Sequence, residues 1–231
     1  MRRYLRLMRE MDGWFASVLM KHSDQMQCGK GCALCCYGLF DISLADAVRV
    51  AEGFSALGPA IRAQVALRAT PVHERILAEV PELESTFFLH VLGEDRIDQV
   101  VDRVQSLPCP LLGCQNECLI YEYRPLACRM EGVPMVDAHD GLFGDWCELN
   151  FVQGVPPEAL ADLSRDYYQM EEIERRTCER LSESLLAKRR SGLTVFIPSL
   201  IVEFEGFWKK LLRKRKAAGG ARTRTCSPGK L

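Results

Sequence analysis

The sequence predicts a mostly α-helical protein, a helical domain carrying an irregular cysteine-rich metal-binding layer. Three observations lead there. Stretches near both ends repeat apolar residues at three- and four-residue steps, the period of a helix with one buried face. Between them, residues 107–150 are rich in Pro, Gly and aromatics and have little periodicity. Eight of the 11 cysteines fall in two bursts: Cys28, Cys32, Cys35 and Cys36, then Cys109, Cys114, Cys118 and Cys128. Thiolates are soft, strongly metal-binding ligands, and several at close spacing can converge on one ion or cluster.

Taken in order, residues 2–22 read as an amphipathic helix through Tyr4, Leu7, Met8, Met11, Phe15, Val18 and Leu19. The Gly-broken stretch 28–36 comes next, and Phe40–Ile42 reads as extended. Ser43 with Asp46 forms a capping-box-like start to a helix ending near Gly53. Pro59 opens a helix to about Ala69. Pro71 and Pro81 punctuate the next stretch, with 71–80 helical by pattern. Residues 86–92 fit a helix end or a buried strand. The periodic stretch Pro156–Arg190 predicts the longest helix. A short apolar piece, Leu193–Ile197, precedes Pro198, and a last helix runs to about Lys216. The expected organisation is an N-terminal helix over 1–27, a cysteine-rich metal-binding domain over 28–150, C-terminal helices packing on it over 151–216, and a disordered basic tail over 217–231.

Composition narrows the function classes. An apolar fraction of 48% and a charged fraction of 26% are those of a folded globular chain. The net charge of −1 hides an asymmetry. Residues 209–231 hold nine Lys or Arg and no acid, leaving 21 bases against 31 acids in the rest. An acidic body argues against nucleic acid as a partner. The identity of any protein partner is unknown from the sequence. Arg6, Arg9, Glu10 and Asp12 interrupt any secretory h-region, and no run approaches the roughly 18 apolar residues of a transmembrane segment. A cytoplasmic location is expected, where thiols stay reduced, and the odd cysteine count also speaks against a disulfide framework.

Wound as a helix, the first burst would place its sulfurs within about 100° of one another around the axis. Gly29 and Gly31 instead favour a tight loop whose amides point at sulfur. Adjacent Cys35 and Cys36 cannot easily share one ion from a regular turn: either one ligates while the other packs, or they serve two metals. In the second burst, Pro125 suits the first position of a helix, which puts Cys128 in the first turn, where the helix dipole favours a thiolate by roughly 0.3–1 kcal/mol. Arg124 and Arg129 flank this region. They either offset the charge of a thiolate site or make ordinary surface ion pairs.

Cys32-x-x-Cys35-Cys36, then Cys109-Pro-Leu, then Cys118-x-Ile-Tyr-Glu-x-Arg-Pro-x-x-Cys128-Arg resembles the CxxCxxCC family, taken to chelate zinc or iron. The resemblance covers about residues 28–130. In the family pattern two residues separate the first two cysteines; here three separate Cys28 from Cys32. The resemblance implies a small cytosolic bacterial protein with cysteine-bound zinc or iron, or a [4Fe–4S] cluster. Flagellin lysine methylases carry a similar cysteine domain. The ligand candidates are then Cys28, Cys32, Cys35, Cys36, Cys109, Cys118 and Cys128. Seven exceed the four needed by one zinc or one cluster, so there are two sites, or some thiols support or react rather than ligate.

Cys147 and His139 are further candidates, each weighed against a packed thiol and a solvated imidazole. Cys178 reads as packing, and Cys226 sits in the tail. Three functions stay open: a zinc- or iron-binding protein, whose site if structural contributes about 10–16 kcal/mol to folding; an iron–sulfur redox or methyl-transfer enzyme; and a thiol-based redox-sensing interaction protein. The basic segment around Phe204–Lys216 either docks by its aromatics or meets an acidic partner, RNA or an anionic membrane surface. The sequence contains no Walker loop, dinucleotide fingerprint or Ser/His/Asp arrangement.

Overall fold

The computed structural model describes residues 1–220 except Lys30, Gln105, Ser106, Leu142, Phe143 and Asp145, and no side chain beyond Lys216. The first helix, α1 (Arg2–Lys21), buries Tyr4, Leu7, Met8, Met11, Trp14 and Val18 on one stripe. Each such side chain contributes roughly 1.5–3 kcal/mol by leaving water. The indole Nε1 of Trp14 donates to Asp162 O at 2.8 Å, which satisfies its polar edge.

A short strand, β1 (Asp41–Ser43), runs into α2 (Leu44–Ala56), where Ser43 Oγ accepts the Asp46 amide at 3.3 Å. Helix α2 is buried almost all round and forms the centre of the main core. It continues through Gly53 rather than stopping there. A Cβ at Gly53 would lie 2.7 Å from Tyr123 Cβ, so this glycine admits a neighbouring 3₁₀ turn, Tyr121–Tyr123.

Helix α3 (Pro59–Glu79) likewise passes through Pro71, where the sequence predicted a break. Pro71 frees the carbonyl of Leu67 four residues earlier. Leu67 is 75% exposed, so water can satisfy that carbonyl. Residues 86–92 are neither helix end nor strand; they contain one 3₁₀ turn, Leu89–Val91. A helix that the sequence reading missed, α4 (Glu94–Val104), comes next and buries Val100 and Val104 in a second, smaller core with Val72, Ile76 and Val80.

The short helix α5 (Leu126–Met130) leads to β2 (Val136–Asp137). The expected long helix 156–190 is interrupted. After a 3₁₀ turn come α6 (Leu160–Leu163), β3 (Ser164–Arg165) and α7 (Tyr167–Leu186). Strand β3 pairs in parallel with β2, and Asp166 caps α7 by accepting the Gln169 amide at 2.7 Å. Local pairing and capping together outweigh the helical periodicity.

The apolar piece near Pro198 is β4 (Thr194–Phe196), antiparallel to β1. It is followed by α8 (Ile197–Val202), a π turn (Phe204–Trp208) and α9 (Lys209–Gly220). Phe204, Trp208, Leu211 and Leu212 dock this segment into the main core. Residues 217–220, expected to be disordered, extend α9; residues 221–231, with Cys226, lie outside the described residues, as do Leu142, Phe143 and Asp145 between the candidates His139 and Cys147. Among the described residues no helix is long and apolar enough to cross a membrane.

Candidate metal centre

Residues 28–36 form a loop rather than a helix. Cys32 N donates to Gly29 O at 3.0 Å, and the stretch closes in a 3₁₀ turn, Leu34–Cys36. The second burst folds as a tight hairpin over 109–119, with Leu112 N on Cys109 O at 2.9 Å, Gly113 N on Glu117 O at 2.7 Å and Leu119 N on Leu111 O at 3.0 Å. This pairing sets Cys118 opposite Leu112 and leaves Cys114 exposed near the hairpin tip.

Backbone hydrogen bonds stitch the two bursts together. Cys109 N donates to Cys36 O at 2.7 Å, and Gly38 N donates to Leu107 O at 3.0 Å. Segments about seventy residues apart in sequence are thus adjacent in space. Pro125 stands at the cap of α5, with Leu126 the first helical residue, one position later than expected. Cys128 remains in the first turn.

The thiols electrostatically sense one another as a row. Burial pushes Cys128 well above the usual thiol range, and Cys109, Asp46, Cys118 and Cys35 add to the effect. Burial also raises Cys109 to about 11 and raises Cys118. Cys35 is pushed up by its hydrogen bond with Cys36 and by burial. Burial raises Cys28 against the pull of Asn150, with Cys32, Cys147 and Cys35 as its thiol neighbours. Cys28 and Cys128 are each raised slightly by Cys35. Among the described residues, no three His, Cys, Asp or Glu side chains already stand together at ion-holding spacing.

The arginines flanking Cys128 are buried, so they are not ordinary surface pairs. Arg124 Nη2 donates to Asp12 Oδ1 at 2.8 Å, and Arg129 Nη1 pairs with the other oxygen of the same carboxylate. Their side chains are 10% and 4% exposed. Two guanidinium groups on one carboxylate leave a surplus positive charge, and both pull the Cys118 thiol downward. Arg124 also lies over the Tyr121 ring at 3.9 Å. Arg68 adds a third cation; it is anchored on Pro110 O at 2.8 and 3.1 Å and draws Cys109 downward.

Three supporting roles escaped the sequence reading, those of Asn150, Gly132 and Asp46. Asn150 is fully buried; its Nδ2 donates to Cys28 Sγ at 3.0 Å and to Gly132 O, while its Oδ1 accepts Gln27 N at 2.8 Å. Gly132 has φ +90°, and a Cβ there would lie 3.1 Å from Cys28 Sγ. Asp46 accepts the Leu126 amide on both oxygens at 3.0 Å, capping α5 from a different helix, and also accepts the Tyr4 hydroxyl at 2.7 Å. The Trp146-Cys147 pair preceding Asn150 was the only available signal; no spacing rule points to a buried amide. His139 is exposed and engages Asp166 at 3.1 Å, a contact that raises its pKa. Cys178 is buried in the main core.

No family model matches this chain, and no curated protein or solved structure matches it either.

Proposed function

We propose that the chain binds zinc or iron, as an ion or as a [4Fe–4S] cluster, through Cys28, Cys32, Cys35, Cys36, Cys109, Cys118 and Cys128, in the manner of the CxxCxxCC family. Cys147 is a thiol neighbour of Cys28. The observation carrying this reading is the backbone hydrogen bond from Cys109 N to Cys36 O, which sets the two cysteine bursts side by side. The donor set fits a soft cation. Burial disfavours bare thiolates here, and a bound cation would supply the charge that stabilises them.

The chain's own residues do the remaining work. Arg124, Arg129 and Arg68 set positive charge beside Cys118 and Cys109, where a thiolate site accumulates negative charge. Asn150 orients Cys28 through an N–H···S hydrogen bond. Asp46 fixes the start of the helix that carries Cys128.

Metal analysis and visible absorption of anaerobically purified protein test the proposal, with Cys→Ser variants at positions 32, 35, 109, 118 and 128. Stoichiometric zinc in colourless protein supports a binding or structural role and removes the iron–sulfur enzyme. Brown protein with broad visible absorption supports the cluster and keeps redox or methyl-transfer chemistry open. Metal-free protein, or metal retained by every variant, overturns the proposal.

A further inference from the structure

Away from the thiols, α3, the 83–88 segment and the π turn line an open groove of about 490 Å³. That volume suits a small molecule. Its walls combine three kinds of group. Phe87 and Phe207 present aromatic rings, packed at a centroid distance of 4.8 Å, beside Leu77. Glu84 and Glu203 bring two carboxylates, and no lysine or arginine is among the described lining residues. His73 lines it as well, its Nδ1 held 3.1 Å from Ser199 Oγ. Burial keeps this imidazole below its usual pKa, so it adds no positive charge near neutrality.

The backbone gives an independent pointer. Phe204–Trp208 is a π turn lodged between α8 and α9. Such turns are rare and concentrate at functional sites, because the extra residue re-aims side chains at an energetic cost. Here the turn comes directly after Glu203 and carries Phe207, which places a carboxylate and an aromatic ring on the same groove.

We propose that this groove binds a small organic cation with an apolar body, the ammonium lying against Glu203 and Glu84 and over the Phe87 and Phe207 rings. A carboxylate pair supplies charge complementarity, and an aromatic face attracts a cation through its quadrupole. An anion would meet two like charges, and a purely apolar ligand would strand both carboxylates. The site is independent of metal binding. Val72 and Pro198, the chain neighbours of His73 and Ser199, line a small separate cavity together with Cys109.

The test titrates the full chain with benzyltrimethylammonium by calorimetry, with benzyl alcohol and phenylacetate as neutral and anionic comparators. The expected result is saturable one-site binding of the ammonium, at least tenfold weaker binding of the alcohol, and none of the acid. Glu203→Gln should lose tenfold or more, whereas Glu205→Gln, whose carboxylate is exposed and engaged by Lys209, should bind as the parent does. Phe207→Leu carries the same expectation should the Glu203 variant not fold. No saturable binding, equal binding of phenylacetate, or full affinity in a folded Glu203→Gln or Phe207→Leu protein overturns the proposal.

Discussion

Replacing Asp46 by Asn should flatten the dependence of stability on pH between about pH 5 and 7. Asp46 is fully buried; burial and the neighbouring Glu174 carboxylate raise its pKa to about 7, against the opposing hydrogen bonds from Tyr4 and Leu126. In the unfolded chain an aspartate titrates near 4. The folded state therefore holds this proton more tightly. The resulting stability is fully present below the unfolded pKa and is lost as pH rises towards 7. A shift of about three units corresponds to at most ~4 kcal/mol, and sharing of the charge with Glu174 reduces that. The amide introduced by Asp46→Asn keeps an acceptor for the Tyr4 hydroxyl and the Leu126 amide but cannot ionise. Urea unfolding at several pH values, with both proteins in the same chelator, measures the difference. The parent should lose more stability than the variant between pH 5 and 7, and the variant should be the more stable above pH 7. The paired surface carboxylates, such as Asp162 and Glu179, have lowered pKa values and contribute below this window with the opposite sign; they cancel in the comparison. Parallel curves for the two proteins would refute the reasoning.

Other outcomes rest on the same contacts. Gly132→Ala sets a Cβ against Cys28 Sγ at a backbone angle that L residues rarely adopt, and should cost about 1–3 kcal/mol in chemical denaturation as well as weaken metal retention. Asn150→Ala leaves the Gln27 amide and the Gly132 carbonyl without their partner; a loss of about 2–4 kcal/mol in urea unfolding is expected. Arg129→Met removes a cation that draws the Cys118 thiol down, so alkylation of Cys118, monitored by mass spectrometry across pH, should shift to higher pH.

Much of the helical scaffold was legible because it rests on local rules. The α1 stripe through Tyr4, Met11 and Val18, the Ser43 cap and the docking of Phe204 each follow from period or capping chemistry. The misreadings arose where a local signal did not decide the outcome. Pro71 suggested a break, but the helix continues through it beside the exposed Leu67. Gly53 suggested a stop, but it marks where Tyr123 packs closely. The 156–190 period suggested one helix, but pairing of Ser164 and Arg165 with β2 divides it. At the candidate centre, cysteine spacing named the thiols. It could not reveal that Asn150 holds Cys28 or that Asp12 joins Arg124 to Arg129, because those partners lie more than 100 residues away.

The most direct measurement is X-ray absorption at the metal edge of protein purified without oxygen. A shell made up mainly of sulfur, at about 2.3 Å for zinc, lost when Cys109, Cys118 and Cys128 are changed to Ser together, is the predicted result. A shell of nitrogen and oxygen, or an unchanged sulfur shell in the triple variant, would contradict the account.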